Sequence, residues 1–258
     1  MASLNCICIK YGTLYGAEYV MRLRDGLARH TASDLRFFCM TEDRSGIGPG
    51  VEILDLPEEP FAARMERAMQ AAPKRGRLKK ISLFRPGLIP DLDGPLLVFD
   101  LDVAIVGPVD ALRDHAPGKV CMRREWRGSS RAPSLGHGSV ERFDPGLHGY
   151  LYEFMAREPE AAVAFGGGSE QTYTSKSAAR AGDFAPFPDA WIASFKYDCR
   201  PPRPLNLVLE PRLPADARVV CFHGRPKMEE AVSGYRAGPL HSTRPCAWLR
   251  DAWIGAAA

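Results

Sequence analysis

The feature that most constrains this chain is an unbroken apolar run that stops at two carboxylates. In "GPLLVFDLDVAIVGPVDAL", residues 94–112, Leu96 to Phe99 lead into Asp100 and Asp102, with Leu101 between them. A continuous apolar run of this kind is expected of a strand covered on both faces, as in the parallel sheets of α/β proteins. In such sheets ligands bind beyond the carboxyl ends of the strands. Side chains alternate along a strand, so the two aspartates share a side if the extended backbone continues through Leu101. Left unpaired there, they would carry a large desolvation cost. A hard divalent cation, Mn²⁺ or Mg²⁺, answers that cost, because it takes carboxylate oxygens completed by substrate phosphates and water. Pairing with lysines, or capping of the next turn, answers it too. The nearby "PDLDGP" repeats the spacing with Asp91 and Asp93, but Pro90, Gly94 and Pro95 mark that copy as a turn.

The flanking pattern predicts α/β organisation. "LNCICIK" (4–10) reads as a first strand, and "GAEYVMRLRDGLARH" carries Val20, Leu23 and Leu27 at helical spacing. "LRFFCM" (35–40) reads as a second strand, so strand, helix and strand fall at the length of a parallel pair with a right-handed crossover. "PFAARMERAMQAA" presents Phe61, Met65, Ala68 and Met69 on one helical face; "VDALRDH" is a short helix and "KVCMRR" a strand. Past residue 125, "RGSSRAPSLGHGS", "FGGGSEQ" and "YDCRPPRPLN" read as loops, and "ARVVCFHG" (217–224) is a last strand before a tail holding Trp248 and Trp253. At 258 residues and 45 % hydrophobic composition, one continuous domain suffices. Its expected form is a mostly parallel central sheet flanked by helices, with a nucleotide-binding half over about 1–125 and a looser acceptor-side half over 126–258.

A net charge of +3 is too mild to argue for nucleic acid. The basic residues gather in "PKRGRLKK" (73–80) and "MRREWRG" (122–128), which read as solvated loops or as partners of a polyanion such as a nucleoside diphosphate. Peripheral contact with an anionic membrane surface stays open to such stretches. Seven scattered cysteines without a CxxC pattern fit a reducing compartment better than a disulfide framework. Neither a signal peptide nor a membrane span is visible, so the expected address is cytoplasmic.

Taken in order, these motifs resemble the metal-dependent glycosyltransferases of the GT-A fold, in particular glycosyltransferase family 8 and its bacterial relatives. "LLVFDLD" matches the family's apolar strand ending in DxD, and "VAIVGPVDAL" the sequence behind it. The resemblance implies a sugar transferred from a nucleoside diphosphate, most simply a UDP-sugar, to a saccharide or lipid-linked acceptor, with retention of configuration. It places Lys80 of "LKKISLF" on the diphosphate and His137 of "LGHGSV" at the donor sugar, where the family has Asn. Glu170 and Gln171 of "GGGSEQTY" match the family's DQ pair beside the anomeric carbon. In "CFHGRPKME", Gly224 and Lys227 align with a diphosphate-binding motif, while Cys221 stands at the family's metal-binding histidine. Positions 221 and 223 share a strand face, and a hard cation disfavours a thiolate, so His223 is the expected third ligand beside Asp100 and Asp102. In "KYGTLYGAEY", Tyr11, Gly12, Thr13 and Tyr15 take the place of the base-binding loop, which here lacks the family's acid; Asp43 is a second candidate for base or ribose.

Other readings remain open on the sequence. "LLVFDLDVAIV" also looks like the nucleophile strand of a haloacid-dehalogenase-type phosphatase, with Asp100 phosphorylated, although the motif lies far into the chain and no acidic pair follows on a later strand. A sugar nucleotidyltransferase would want a Gly-rich basic loop after strand one. A non-catalytic nucleotide-sugar-binding relative is the non-enzyme alternative. An inverting transferase would need a carboxylate base, for which Glu170, Asp183 and Asp189 are conceivable. Phe184, Phe187, Trp191 and Phe195 are either core or an acceptor platform.

Overall fold

The structure is a computed structural model describing residues 3–73, 78–126, 135–238 and 241–255. Lys74, Arg75 and Arg77 of the first basic run, Arg127 of the second, and residues 128–134 of the loop expected after it lie outside the described residues.

Strand β1 (Ser3–Lys10), helix α1 (Ala17–Arg29) and strand β2 (Asp34–Thr41) form the expected parallel unit, extended by β3 (Glu52–Asp55) and helix α2 (Ala62–Ala71). The apolar run becomes β4 (Leu96–Phe99), followed by β5 (Val103–Ile105), α3 (Asp110–Asp114) and β6 (Val120–Arg124). Next come β7 (Gly136–Phe143), helices α4 (Tyr150–Arg157), α5 (Pro159–Gly166) and α6 (Glu170–Ala181), and strands β8 (Phe184–Phe187) and β9 (Ile192–Ser194). β10 (Val219–Cys221), α7 (Met228–Ser233), the short pair β11 (Tyr235–Arg236) and β12 (Ser242–Thr243), and α8 (Ala247–Trp253) complete the chain. The main sheet has seven strands in the order β3-β2-β1-β4-β7-β6-β8, and β5-β10-β9 form a second sheet. Within the main sheet only β7 runs antiparallel to its neighbours, so the sheet is mostly parallel as expected.

Because side chains alternate along a strand, β1 feeds two cores. Cys6 and Cys8 join Leu23, Leu27, Phe37 and Phe99 on the face covered by α1 and α8. Ile7 joins Phe38, Val98, Phe84 and Phe143 on the face covered by α2 and α4–α6. All seven cysteines are buried and unbridged, consistent with a thiol acting as a small hydrophobe. Phe187 and Phe195 are also buried, Phe184 packs on the second core, and Trp191 is covered by the Arg218 guanidinium at 4.4 Å. That group is core, not a platform.

Two sequence expectations need correction. "LGHGS" is not a loop: residues 136–143 form β7, the strand beside β4, whose glycines admit neighbours that a Cβ would strike. Nor does the β4 backbone stay extended through Leu101. Asp100 ends the main-sheet ladder by donating its N–H to the Ser139 carbonyl at 2.9 Å; Leu101 and Asp102 then turn, and Asp102 accepts from Phe222 N–H at 2.9 Å in the second sheet. The tripeptide is therefore a crossing point between sheets rather than a continuous strand face.

Behind it the chain has no slack. At Gly107 an added Cβ would lie 2.9 Å from the Ala217 carbonyl oxygen, while its own N–H is tied to the Arg218 carbonyl at 3.2 Å. Gly107→Ala is expected to lower stability by about 1–3 kcal/mol, read from the urea midpoint at an unchanged slope.

Candidate active site

A cleft opens where β1 and β4 end. It comprises two adjoining cavities of about 270 and 240 Å³ that share Ile9, Tyr11 and Asp100. The larger is walled by Lys79, Lys80, Glu141, Glu170 and Gln171, the smaller by Leu14, Tyr15 and Asp102.

Each aspartate of the crossing point has an ammonium beside it. Lys80 Nζ, on the 3₁₀ turn Lys79–Phe84, lies 2.7 Å from Asp100 Oδ1 and 3.8 Å from Glu141 Oε1, and donates to the Gly138 carbonyl. Burial alone would lower its pKa, but the charges of Asp100, Glu141 and Glu170 outweigh that and hold it above the ordinary value. On the other side, Tyr15 Oη donates to Asp102 Oδ2 at 2.7 Å and accepts from Lys227 Nζ at 2.8 Å; Lys227 is 3.6 Å from the carboxylate. Burial and the neighbouring Asp100 charge push Asp102 up to about 6.

The wall of the larger cavity is also acidic. Glu141, 2 % exposed, is pushed up to about 7 by burial, with Lys80 pulling down and Asp100 pushing up. Glu170 is pushed up to about 8 by burial, and its Oε1 accepts the Ile81 N–H at 3.0 Å. Gln171, at the start of α6, accepts the Gly138 N–H at 3.2 Å and donates to Glu125 Oε2 at 2.6 Å. Glu170 and Gln171 both line the larger cavity. Of the three carboxylates considered as bases, Asp183 is held by Tyr150 and Lys119, and Asp189 by Arg124, so only Glu170 lines the cleft.

The first loop is placed at the cleft edge. Gly12, with φ of 62°, donates its N–H to Glu42 Oε1 at 2.8 Å, and Thr13 is exposed. Asp43 pairs with Lys10 at 3.1 Å, and the Ser45 N–H beside it holds its carboxyl down at about 2. An acid does stand near this loop, but it is Glu42, supplied from the end of β2.

The expected metal triad is not assembled. Among the described residues no three His, Cys, Asp or Glu side chains come together to hold a metal ion. His223 Nε2 lies 2.8 Å from Ser194 Oγ, and its ring packs against Trp126, His137 and Tyr197 rather than turning to the aspartates. Cys221 is the nearer neighbour of Asp100 and Asp102, fully buried, its thiol raised well above the usual range by that burial and then by the two carboxylates. His137 is pushed down to about 4 by burial and accepts weakly from Ser139 N–H at 3.4 Å.

Sequence reasoning missed Glu141, Glu125, Trp126 and Ser194. The one available signal was "SVERF", an acid and a base inside an otherwise apolar strand.

No protein-family profile and no curated protein sequence matches the chain. Solved structures do. An active-site glutamine-to-glutamate variant of LgtC superposes with a TM-score of 0.54 at 12 % identity, over 87 % of this chain and 89 % of that one. Mouse xyloside xylosyltransferase 1 gives 0.54 at 12 %, over 87 % of this chain and 98 % of that one. This is the GT-A fold. A third GT-A neighbour, the glycosyltransferase GlyE of Streptococcus pneumoniae, matches at 0.51 and 11 %, and there the chain spans just over half, 56 %, of the longer protein. The crossing tripeptide Asp100-Leu101-Asp102 lies at the carboxyl end of β4, the central strand of the seven-stranded sheet. Among the described residues no helix is long and apolar enough to cross a membrane.

Proposed function

We propose that the chain is a glycosyltransferase, read as one domain, that moves a sugar from a nucleoside diphosphate to an acceptor hydroxyl and retains its configuration. The observation that carries this reading is the pairing of Asp100 with Lys80 and Asp102 with Lys227 at the mouth of the cleft. Neighbouring structures support it in kind: one holds LgtC with donor and acceptor sugar analogues. A UDP-sugar donor and a saccharide or lipid-linked acceptor are the partners this reading takes.

The fold family implies a divalent cation, and the donor set bears on that. Two lysines balance two aspartates, so a diphosphate entering the cleft needs further positive charge. Burial first, and then the like charge of Asp100, raise Asp102, and a cation between the two carboxylates would relieve both. Cys221 offers a buried neutral thiol, unsuited to a hard ion. The residues therefore fit Mn²⁺ or Mg²⁺ held by Asp100 and Asp102 alone, with phosphates and water completing its shell. Such an ion supplies Lewis-acid stabilisation of the departing diphosphate.

The chain's own residues do the rest. Lys80 and Lys227 are fixed donors aimed where charge develops on the leaving group, and fixed donors cost no reorganisation as the bond breaks. Tyr15, held by both Asp102 and Lys227, keeps that corner ordered. Glu170, whose Oε1 accepts the Ile81 N–H, is the cleft carboxyl beside Gln171, raised to about 8 by burial. Gln171, tied by Gly138 and Glu125, presents its amide at the sugar; LgtC likewise has an active-site glutamine.

Thermal unfolding with nucleoside diphosphates and nucleotide sugars, with and without Mn²⁺, tests the reading. A ligand at about 100 times its dissociation constant adds about 2.7 kcal/mol, so the correct base shows itself as a clear upward shift only when metal and nucleotide are present together. Failure of every nucleotide, with stabilisation instead by Mg²⁺ and beryllofluoride, would replace the transferase with a phosphatase.

A further inference from the structure

His223, released from metal binding, belongs to a row of rings that starts at the donor cavity and ends in solvent. Next to Gly138 in the cavity wall stands His137, whose ring centroid is 4.7 Å from Trp126 and 5.6 Å from His223. Trp126 is 5.4 Å from His223, and Tyr197, half exposed at 50 %, is 5.4 Å from His223 on the far side. These rings come from four separate segments, and the Phe195–Phe222 stack beneath them belongs to the core.

The row is built to stay in place. Residues Phe195–Cys199 form one π-helical turn, an uncommon conformation that lifts Tyr197 out of the surface. Asp198 Oδ2 accepts from both Ser194 N–H, at 2.7 Å, and Trp126 Nε1–H, at 3.1 Å, locking the turn to the tryptophan. Ser194 Oγ accepts the Tyr197 N–H at 3.3 Å and shares a hydrogen bond with His223 Nε2 at 2.8 Å. The other ring nitrogen, His223 Nδ1, has no hydrogen-bond partner among the described residues. Burial lowers the His223 pKa.

We propose that Tyr197 and His223, backed by Trp126, form the subsite for a pyranose acceptor, the sugar lying on the half-exposed Tyr197 ring and hydrogen-bonding through a hydroxyl to His223 Nδ1. A pyranose has one face of axial C–H groups and an edge of hydroxyls that both donate and accept, so it suits an exposed ring with a polar nitrogen beside it. The inference rests on the glycosyltransferase reading, which supplies the second substrate, and it accounts for a half-exposed tyrosine beside a half-buried histidine that the fold does not otherwise use.

Saturation-transfer NMR on the full chain, with the methyl β-glycosides of glucose, galactose and N-acetylglucosamine as probes, tests it directly. The expected result is saturation of the ring protons of one glycoside face, about tenfold weaker binding in Tyr197→Ala and in His223→Ala, and near-native binding in Tyr197→Phe, which keeps the ring. Melting curves of the same samples exclude misfolding. Equal binding by Tyr197→Ala, or no saturation of any of the three by the native protein, overturns the proposal. The nucleotide shift described above separates the two readings. Glycoside binding without any nucleotide response removes the donor reading and leaves the subsite, and the reverse pattern removes the subsite alone.

Discussion

Asp102→Asn is expected to reduce sugar transfer on the order of a thousandfold while leaving the fold intact. The substitution keeps an oxygen for Tyr15 Oη, now 2.7 Å from Asp102 Oδ2, so the packing of that corner is preserved. What disappears is one of two charges facing the diphosphate and half of the carboxylate pair that would hold a cation. Stability should change by no more than about 1 kcal/mol, because the lost attraction to Lys227 is offset by the lost repulsion from Asp100. Steady-state kinetics and a melting curve check both parts. A variant that melts normally and still transfers sugar at the native rate would remove Asp102 from the machinery.

Lys80→Met is expected to have the largest effect on stability, and a strongly pH-dependent one. Lys80 is 16 % exposed and faces Asp100, Glu141 and Glu170, so its removal leaves buried acids with no counter-charge. Breaking a buried pair in this way costs about 3–5 kcal/mol. Even with Lys80 present, Glu141 at about 7 and Glu170 at about 8 lie above an ordinary glutamate. The native state thus keeps protons there that the unfolded chain sheds, and the stability these two groups contribute is full below the ordinary glutamate pKa and lost as pH rises through 7 and 8. Without the lysine both carboxyls rise further, so the defect grows with pH. Urea unfolding should show the full loss near pH 8, shrinking to about 1 kcal/mol near pH 5, where the glutamates are protonated in the fold. A loss of equal size at both pH values would mean that the lysine stem, not its charge, is what the cluster needs.

Much of the first half was legible because its physics is periodic. β1, α1, β2 and β4 announce themselves through apolar runs and helical spacing, and a carboxylate pair at the end of a buried run is conspicuous. β7 was not legible, because its inward positions include Glu141 and Arg142, 2 % and 3 % exposed, which are buried only because Lys80, Asp144 and backbone carbonyls receive them. The helices α4–α6 hid for related reasons. α6 turns Thr172, Thr174 and Ser175 inward, giving no apolar stripe, and α5 is apolar nearly all round. The Ser194 contact of His223 was not legible because β10 ends at Cys221, two residues short of it, and the hydroxyl comes from β9, the parallel neighbour of β10. The ring row was invisible for the same reason: only tertiary structure brings its members together.

The crossing at Asp100-Leu101-Asp102 has a mechanical consequence. One aspartate is anchored by its backbone to the seven-stranded sheet and the other to the three-stranded sheet, with a single leucine between the anchors. Whatever bridges the two carboxylates also rivets the two sheets together. Occupancy of the cleft should then register far from it, as slower amide exchange along β7 and β10 at once, so that the backbone of the whole molecule reports whether the cleft is filled.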